Sequence, residues 1–265
     1  MVNYFLNLNH ILQALIATLF TFGVTALGAL IVVFFKKISK NFMDAMLGLS
    51  GGVMVAASFW SLLSPAISMA ESLNMKSWLI VSLGFLSGGI LLFIGDKLFD
   101  KIEVKRENKN VSSMKRCLML IFSITLHNIP EGLAVGVVLA GIIGGGISNP
   151  QALLVLALGI AIQNFPEGMI VSLPLKEEGM SKWKAFGLGA LSGVVEPIAS
   201  LIALALTALI TTILPYTLAF AAGVMIYVVV EELIPEASHG GHSNLGTIGF
   251  TIGFILMMIL EILLG

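Results

Sequence analysis

Eight apolar runs dominate the sequence, and each is long enough to cross the hydrocarbon core of a bilayer, about 30 Å thick. They fall near residues 10–35, 43–63, 78–96, 117–140, 151–173, 185–210, 214–233 and 246–264. Charged residues make up only 11% of the chain, whereas a soluble domain carries about 25%. We therefore predict an all-α membrane protein with eight transmembrane helices.

The basic residues predict how the chain lies in the membrane. Thirteen Lys and Arg residues follow the first, third and fifth runs, and only Lys76 lies on the opposite side. Because cytoplasmic loops carry an excess of Lys and Arg, we expect both termini outside the cell. The opening MVNYFLNLNHILQ lacks the basic start of a secretory signal, so we expect the first run to be retained as a span. The predicted location is the cytoplasmic membrane of the cell.

We predict one transmembrane domain over residues 1–265. Residues 97–116 are rich in Lys, Glu and Asn and have no apolar periodicity, so we expect a mobile cytoplasmic loop there. Cys117 is the single cysteine, which excludes an intrachain disulfide and a zinc site made of thiolates.

Two related motifs place ionisable and polar residues deep inside apolar runs. His-Asn-Ile-Pro-Glu-Gly begins at His127, and Gln-Asn-Phe-Pro-Glu-Gly begins at Gln163. His127 and Glu131 are four residues apart and share one face of a helix, and Gln163 and Glu167 repeat that geometry. An ionisable group at such depth is costly, so it usually faces a partner, an ion or a wet cavity.

Each motif also contains a proline and a glycine. Pro130 and Pro166 cannot donate a backbone hydrogen bond, so each helix is expected to bend and to free carbonyl oxygens. Gly132 and Gly168 allow another backbone to come close. Two such helices facing each other would form a cage of imidazole, carboxylates and amides, which is a site for a divalent metal. Because repeated broken helices build many transporter sites, we predict a pseudo-symmetric helix bundle that transports an ion.

Two further residues lie within the apolar runs. Glu196 lies in the sixth run next to Pro197, so a charge again stands beside a proline that interrupts the backbone hydrogen bonds of the helix. Met54 lies in the middle of the second run, where methionine usually serves packing, although a thioether is also a soft metal ligand. An imidazole with carboxylates and amides suits Zn²⁺, Fe²⁺, Mn²⁺ or Cd²⁺ better than Mg²⁺ or Ca²⁺.

HNIPEG and QNFPEG, together with Glu196 in SGVVEP, resemble the ZIP family of divalent-metal transporters, in its bacterial branch, along the whole chain. The resemblance implies a zinc site formed by His127, Glu131, Gln163, Glu167 and Met54. It also implies an adjoining second site that involves Asn128, Glu131, Asn164, Glu167 and Glu196. The family suggests an elevator motion, although a rocking motion stays open.

The sequence departs from the family pattern in two places. Some members carry Asp where this chain has Asn164, so we expect one tightly held metal rather than a stable two-metal centre. Many members have a His-rich loop after the third helix, and residues 97–116 contain no His. A cytoplasmic exit path would therefore use Glu231, Glu232, Glu236, His239 or His242.

The function predicted from these features is zinc uptake into the cytoplasm by alternating access, without ATP because the chain has no P-loop. The alternative is an intramembrane zinc-dependent hydrolase, although catalytic zinc commonly has several His ligands and this chain has no HExxH motif. A third hypothesis, a proton channel or a structural bundle, predicts no metal binding. We expect no enzyme activity, no prosthetic group and no nucleic-acid partner. The expected partners are divalent metal ions and the lipid bilayer, and a homodimer stays open.

Overall fold

A computed structural model describes residues 5–35, 39–104, 113–177, 179–207, 211–238 and 244–264. Within the helices, the side chains at 96, 98–104, 113–124, 126–127, 177, 207, 211, 232 and 236 lie outside this description. The regular elements of the described residues are all helical, which confirms the all-α prediction.

The first half of the chain forms four helices. Two of them are single α-helices, α1 over His10–Phe34 and α3 over Ser77–Val104. Helix α2 runs over Lys40–Ala57, widens into a π-helical turn over Ser58–Leu63, and continues over Ser64–Ser72. Helix α4, over Ser113–Ile143, carries the first motif and continues through Pro130.

The second half forms four more helices. Helix α5, over Ala152–Glu177, carries the second motif. Helix α6 consists of Lys182–Leu191, a 3-10 turn over Ser192–Val194, and Val195–Thr207. Helix α7 consists of Leu214–Val228, a π-helical turn over Val229–Leu233, and Ile234–Ser238, and α8 covers Asn244–Leu264.

Seven of these eight helices are long and apolar enough to cross a membrane within the described residues. The exception is α4, for which the apolar stretch with described side chains is the shorter Asn128–Ile143. The prediction of a membrane protein is confirmed. The eighth span and the outward termini remain predictions.

Both ends of the predicted mobile loop at 97–116 are helical in the structure, whereas its mobility and cytoplasmic location stay predictions. Helix α3 continues to Val104 and α4 begins at Ser113, so these charged residues are helical. Lys, Glu and Leu all favour helix, and a charged helix can extend from the membrane into water. Residues 105–112 lie outside the described residues.

Two helices are longer than their apolar runs because π-helical turns precede prolines. The turn in α2 ends two residues before Pro65, and the turn in α7 ends two residues before Pro235. Proline cannot donate to the helical ladder, and a widened turn allows the helix to continue past it.

Four pairs of helices pack most closely, namely α1 with α5, α2 with α8, α3 with α7 and α4 with α6. Contacts at glycines show that the two helices of a pair run in the same direction. Gly84 of α3 meets Tyr216 of α7, and Gly88, one turn later, meets Phe220, one turn later in α7. The other three pairs are parallel too. An odd number of helices lies between the two members of each pair, as is required for parallel neighbours in a chain that crosses a membrane alternately.

Glycines in the two motifs bring the helices around the site into backbone contact. A side chain at Gly132 of α4 would meet the backbone of Glu196 in α6, and one at Gly168 of α5 would meet the backbone of Thr25 in α1. This agrees with the close approach predicted for these glycines. Lys176 at the end of α5 donates to carbonyl oxygens of Val32, at 3.0 Å, and Phe35, at 2.8 Å, and so caps α1.

Candidate metal centre

The two motifs face each other through Glu131 and Gln163. Nε2 of Gln163 donates a hydrogen bond of 2.7 Å to Oε1 of Glu131. Gln163 is 0% exposed and Glu131 is 1% exposed. The repeated positions on α4 and α5 are therefore paired in the interior of the bundle.

Glu196 of α6 joins this cluster through the second motif. Nδ2 of Asn164 donates to Oε1 of Glu196 at 2.9 Å. Two hydroxyl groups of α1 reach the same carboxylate: Oγ1 of Thr21 donates to Oε2, and Oγ1 of Thr25 lies 3.5 Å from Oε1. Glu196 is thereby held between α1 and α5.

The remaining motif residues are buried beside these pairs. Asn128 and Glu167 are buried on α4 and α5. Oγ of Ser50, on α2, lies 3.5 Å from Oε1 of Glu167 and 3.4 Å from the carbonyl oxygen of Gln163. His127 lies on α4, but its side chain lies outside the described residues.

Met54 is buried on α2, four residues after Ser50. Residues four apart share a helix face, and Ser50 faces the second motif, so the same face of α2 carries Met54 toward α5. This placement fits both a packing role and the role of a ligand that the family resemblance implies.

Several buried oxygen atoms of the cluster have no hydrogen-bond donor in the described part of the chain. They are Oδ1 of Asn128, Oε2 of Glu131, Oε1 of Gln163 and Oδ1 of Asn164. A buried acceptor without a donor costs about 1–3 kcal/mol, and four of them on residues of the two motifs fit a bound cation. A cation would satisfy these lone pairs where the described protein donors do not.

The charge of the cluster also suits a cation. Glu131, Glu167 and Glu196 lie close enough for the carboxylate of Glu196 to interact electrostatically with each of the others. No Lys or Arg is among the buried residues that the structure describes. Carboxylates with amide oxygens, and with the imidazole of His127 predicted beside them, form a mixed donor set of the kind that binds zinc and similar ions.

The described His, Cys, Asp and Glu side chains form no group of three that encloses one ion. Amide and thioether ligands are not among these four residue types, and the side chain of His127 lies outside the described residues. The assignment of ligands to the first and second metal positions therefore stays a prediction.

The predicted exit residues lie mainly outside the described part of the chain. Glu231 is exposed on the π-helical turn of α7. The side chains of Glu232 and Glu236, and all of His239 and His242, lie outside the described residues.

Sequence reasoning missed the hydroxyl groups that contact the carboxylates, those of Thr21, Thr25 and Ser50. A signal was present, because Thr18, Thr21 and Thr25 are spaced to lie on one face of an otherwise apolar helix. All three threonines are fully buried.

Comparisons with known proteins identify the family of this chain. A profile of the ZIP zinc transporter family matches residues 100–261, a range that includes both motifs and Glu196. The zinc transporter ZIP11 of Xenopus tropicalis is 37% identical over 96% of this chain and 98% of its own length.

Bacterial relatives match over a similar range. The zinc transporter GufA of Myxococcus xanthus is 35% identical over 95% of this chain and 98% of its own length. The zinc transporter ZIPB of Bordetella bronchiseptica is 35% identical over 97% of this chain and 82% of its own length. These names are those of transporters and give no support to the hydrolase alternative. Because the family profile and these relatives together cover nearly the whole sequence and both motifs, the chain belongs to the ZIP family of zinc transporters.

Proposed function

We propose that the chain takes up zinc across the cytoplasmic membrane into the cytoplasm, and that the ion binds in the buried cluster of α4, α5 and α6. The observation that carries this proposal is the group of buried oxygen atoms on Asn128, Glu131, Gln163 and Asn164, for which the described residues provide no hydrogen-bond donor. The names of the relatives support zinc as the substrate. Fe²⁺, Mn²⁺ and Cd²⁺ are competitors that the same donor types accept.

The first metal position in this proposal uses both motifs and α2. Its ligands are His127, Glu131, Gln163, Glu167 and Met54. Two carboxylates offset the charge of a dication, and the amide oxygen of Gln163 is available because its nitrogen is the atom bonded to Glu131. The adjoining position, with Asn128, Asn164 and Glu196, shares Glu131 and Glu167 with the first.

This metal site would lie near the middle of the membrane. Gln163 and Asn164 are close to the midpoint of α5, and Thr21, which contacts Asn164, is close to the midpoint of α1. An ion held at that depth reaches either side only if the surrounding helices rearrange, which is alternating access.

The packing supports a motion of one helix group against another. Helices α4, α5 and α6 carry the carboxylates and α1 contacts Glu196, whereas α2 packs mainly on α8 and reaches Glu167 through Ser50, and α3 packs on α7. Sliding of the first group along α2 and α7 would carry the ion between the two membrane faces. The inside-negative membrane potential favours inward movement of a cation by about 2.3 kcal/mol per charge and 100 mV, so ATP is not needed.

The test is zinc uptake into liposomes that contain the purified protein and an enclosed zinc-sensitive dye. We expect saturable uptake that Cd²⁺, Fe²⁺ or Mn²⁺ reduces by competition. Glu131→Gln keeps the shape of the side chain and removes its charge, and should abolish the saturable part. Glu71→Gln, which changes an exposed carboxylate at the end of α2, is the matched control. Uptake by the wild-type protein no faster than in empty liposomes would overturn the proposal.

A further inference from the structure

Three buried threonines on α1 differ in what their hydroxyl groups contact. Oγ1 of Thr18 donates to the carbonyl oxygen of Ala14 at 2.7 Å, within its own helix. Oγ1 of Thr21 reaches Glu196 on α6 instead, although the carbonyl oxygen of Thr18 lies 3.0 Å away. A hydroxyl has one proton, and a bond to a carboxylate is the stronger use of it. Thr21 therefore connects α1 to the carboxylate.

The carboxylate of Glu196 is nearly saturated with donors. A carboxylate has about four acceptor positions. Thr21 occupies one on Oε2, and Asn164 occupies one on Oε1 at 2.9 Å. Oγ1 of Thr25 lies 3.5 Å from Oε1 and 3.3 Å from the carbonyl oxygen of Thr21, so its contact with the carboxylate is the weaker one. Since Glu196 is 0% exposed, no bulk water competes for these positions. A metal at the remaining position would share Oε2 with the hydroxyl group of Thr21.

The backbone around Glu196 makes these contacts feasible. A side chain at Gly193, one turn earlier in α6, would begin 3.0 Å from Oε1 of Glu196 and 3.2 Å from Oγ1 of Thr25. On its other side, the backbone of Glu196 lies against Gly132 of α4. The carboxylate is therefore directed toward α1 and Asn164 by packing as well as by hydrogen bonds.

The amide of Asn164 takes part in the same arrangement. Its Nδ2 atom donates to Glu196 and lies 3.4 Å from the carbonyl oxygen of Thr21. An aspartate could not donate at this place. Asn164 and the hydroxyl groups of α1 thus act together as donors to Glu196. A second metal ion would need the same carboxylate oxygens as its ligands.

We propose that Thr21, assisted by Thr25, is a positioning residue that holds Glu196 toward α1 and so keeps the second metal position weak. This inference rests on the proposed function, because it concerns how many zinc ions the proposed site holds. A metal that binds Glu196 has to displace or share these hydrogen bonds. Removing the hydroxyl groups should free the carboxylate for a second ion.

The test is a zinc titration of purified protein by equilibrium dialysis, which reports the affinity of each ion separately. Wild-type protein should bind one zinc ion tightly and a second one weakly. Thr21→Val with Thr25→Val keeps the shape of both side chains and removes both hydroxyl groups. Because one charge-assisted hydrogen bond corresponds to about tenfold in an equilibrium constant, the second zinc ion should bind at least about tenfold more tightly.

Two controls separate positioning from general damage to the fold. Thr18→Val removes an equally buried hydroxyl group on the same helix that bonds only within α1, and should leave both affinities unchanged. Thr21→Ser keeps the hydroxyl group and should behave as the wild type does. The single Thr21→Val variant makes the same test with a smaller perturbation if the double variant does not fold.

The outcomes distinguish this inference from the proposed function. If the wild-type protein binds no zinc, the proposed function fails. If the wild type binds one zinc ion tightly and the valine variants leave the second affinity unchanged or lower it, the positioning role of Thr21 is wrong. Two equally tight ions in the wild type would also overturn it.

Discussion

The side-chain amide of Gln163 donates to Oε1 of Glu131 and leaves Oε2 of Glu131 and its own Oε1 without a donor among the described residues. This single bond fixes the orientation of both groups, because the amide nitrogen points to the carboxylate and the amide oxygen points elsewhere. A carboxylate and an amide that are oriented before the ion arrives lose less conformational freedom when it binds.

Replacing Gln163 by Leu should weaken zinc binding. Gln163→Leu removes an amide ligand and also the donor that orients Glu131, and loss of such supporting bonds typically costs 10–100-fold in metal affinity. We expect the zinc concentration for half-maximal uptake to rise by about tenfold or more, with similar amounts of protein in the membrane. Gln151→Leu, at the exposed start of the same helix, is the matched control. An unchanged uptake curve for Gln163→Leu would contradict this role.

Replacing Asn164 by Asp should increase occupancy of the second metal position. Asn164→Asp replaces the donor that lies 2.9 Å from Glu196 with a second carboxylate. The repulsion between the two carboxylates should destabilise the zinc-free protein, and a second zinc ion should relieve it. We expect a larger rise in the thermal unfolding temperature on zinc addition than the wild type shows. Equal zinc-dependent shifts in the two proteins would count against a second position at Glu196.

Replacing Gly132 by Ala should destabilise the packing of α4 on α6. The added methyl group would meet the backbone of Glu196 and lie 2.9 Å from Cβ of Ala199. Overpacking of this kind costs about 1–3 kcal/mol, so both the unfolding temperature and the zinc uptake should fall. At Gly89, no described atom lies within 4 Å of the place of an added methyl group, so Gly89→Ala should be neutral. Equal stability of the two variants would show that this contact is not tight.

Acidic external pH should weaken zinc uptake. Zinc binds neutral imidazole and ionised carboxylates, so protons compete for His127, Glu131 and Glu167. The apparent zinc affinity should therefore fall as external pH decreases from about 7.5 through the usual range of His near 6.5. Uptake kinetics at several pH values, with internal pH held constant, measure this. An affinity that does not change would mean that these groups are not the ligands.

Much of the fold and part of the site could be predicted from the sequence. Hydropathy locates the spans because a bilayer demands long apolar segments, and the two motifs identify Glu131 and Gln163 because polar groups at that depth are unusual. Gly132 in the first motif indicated a close helix contact, because only a residue without a side chain can lie against the backbone of α6 at this place.

The contacts of Glu196 with α1 could not be predicted in this way. Thr21 and Glu196 are 175 residues apart, and a threonine in an apolar helix usually bonds to its own backbone, as Thr18 does. Which hydroxyl group faces a carboxylate depends on the helix that packs next to α6, and that is a property of the tertiary structure.

The central claim is that zinc binds between α4 and α5 at Glu131 and Glu167. Anomalous diffraction from crystals of zinc-loaded protein, recorded at the zinc absorption edge, tests it directly. We predict a single strong anomalous peak per chain, about 2.0–2.2 Å from carboxylate oxygens of Glu131 and Glu167, with Met54 on the side of α2. A zinc peak elsewhere, or none within the membrane-spanning region, would contradict the account.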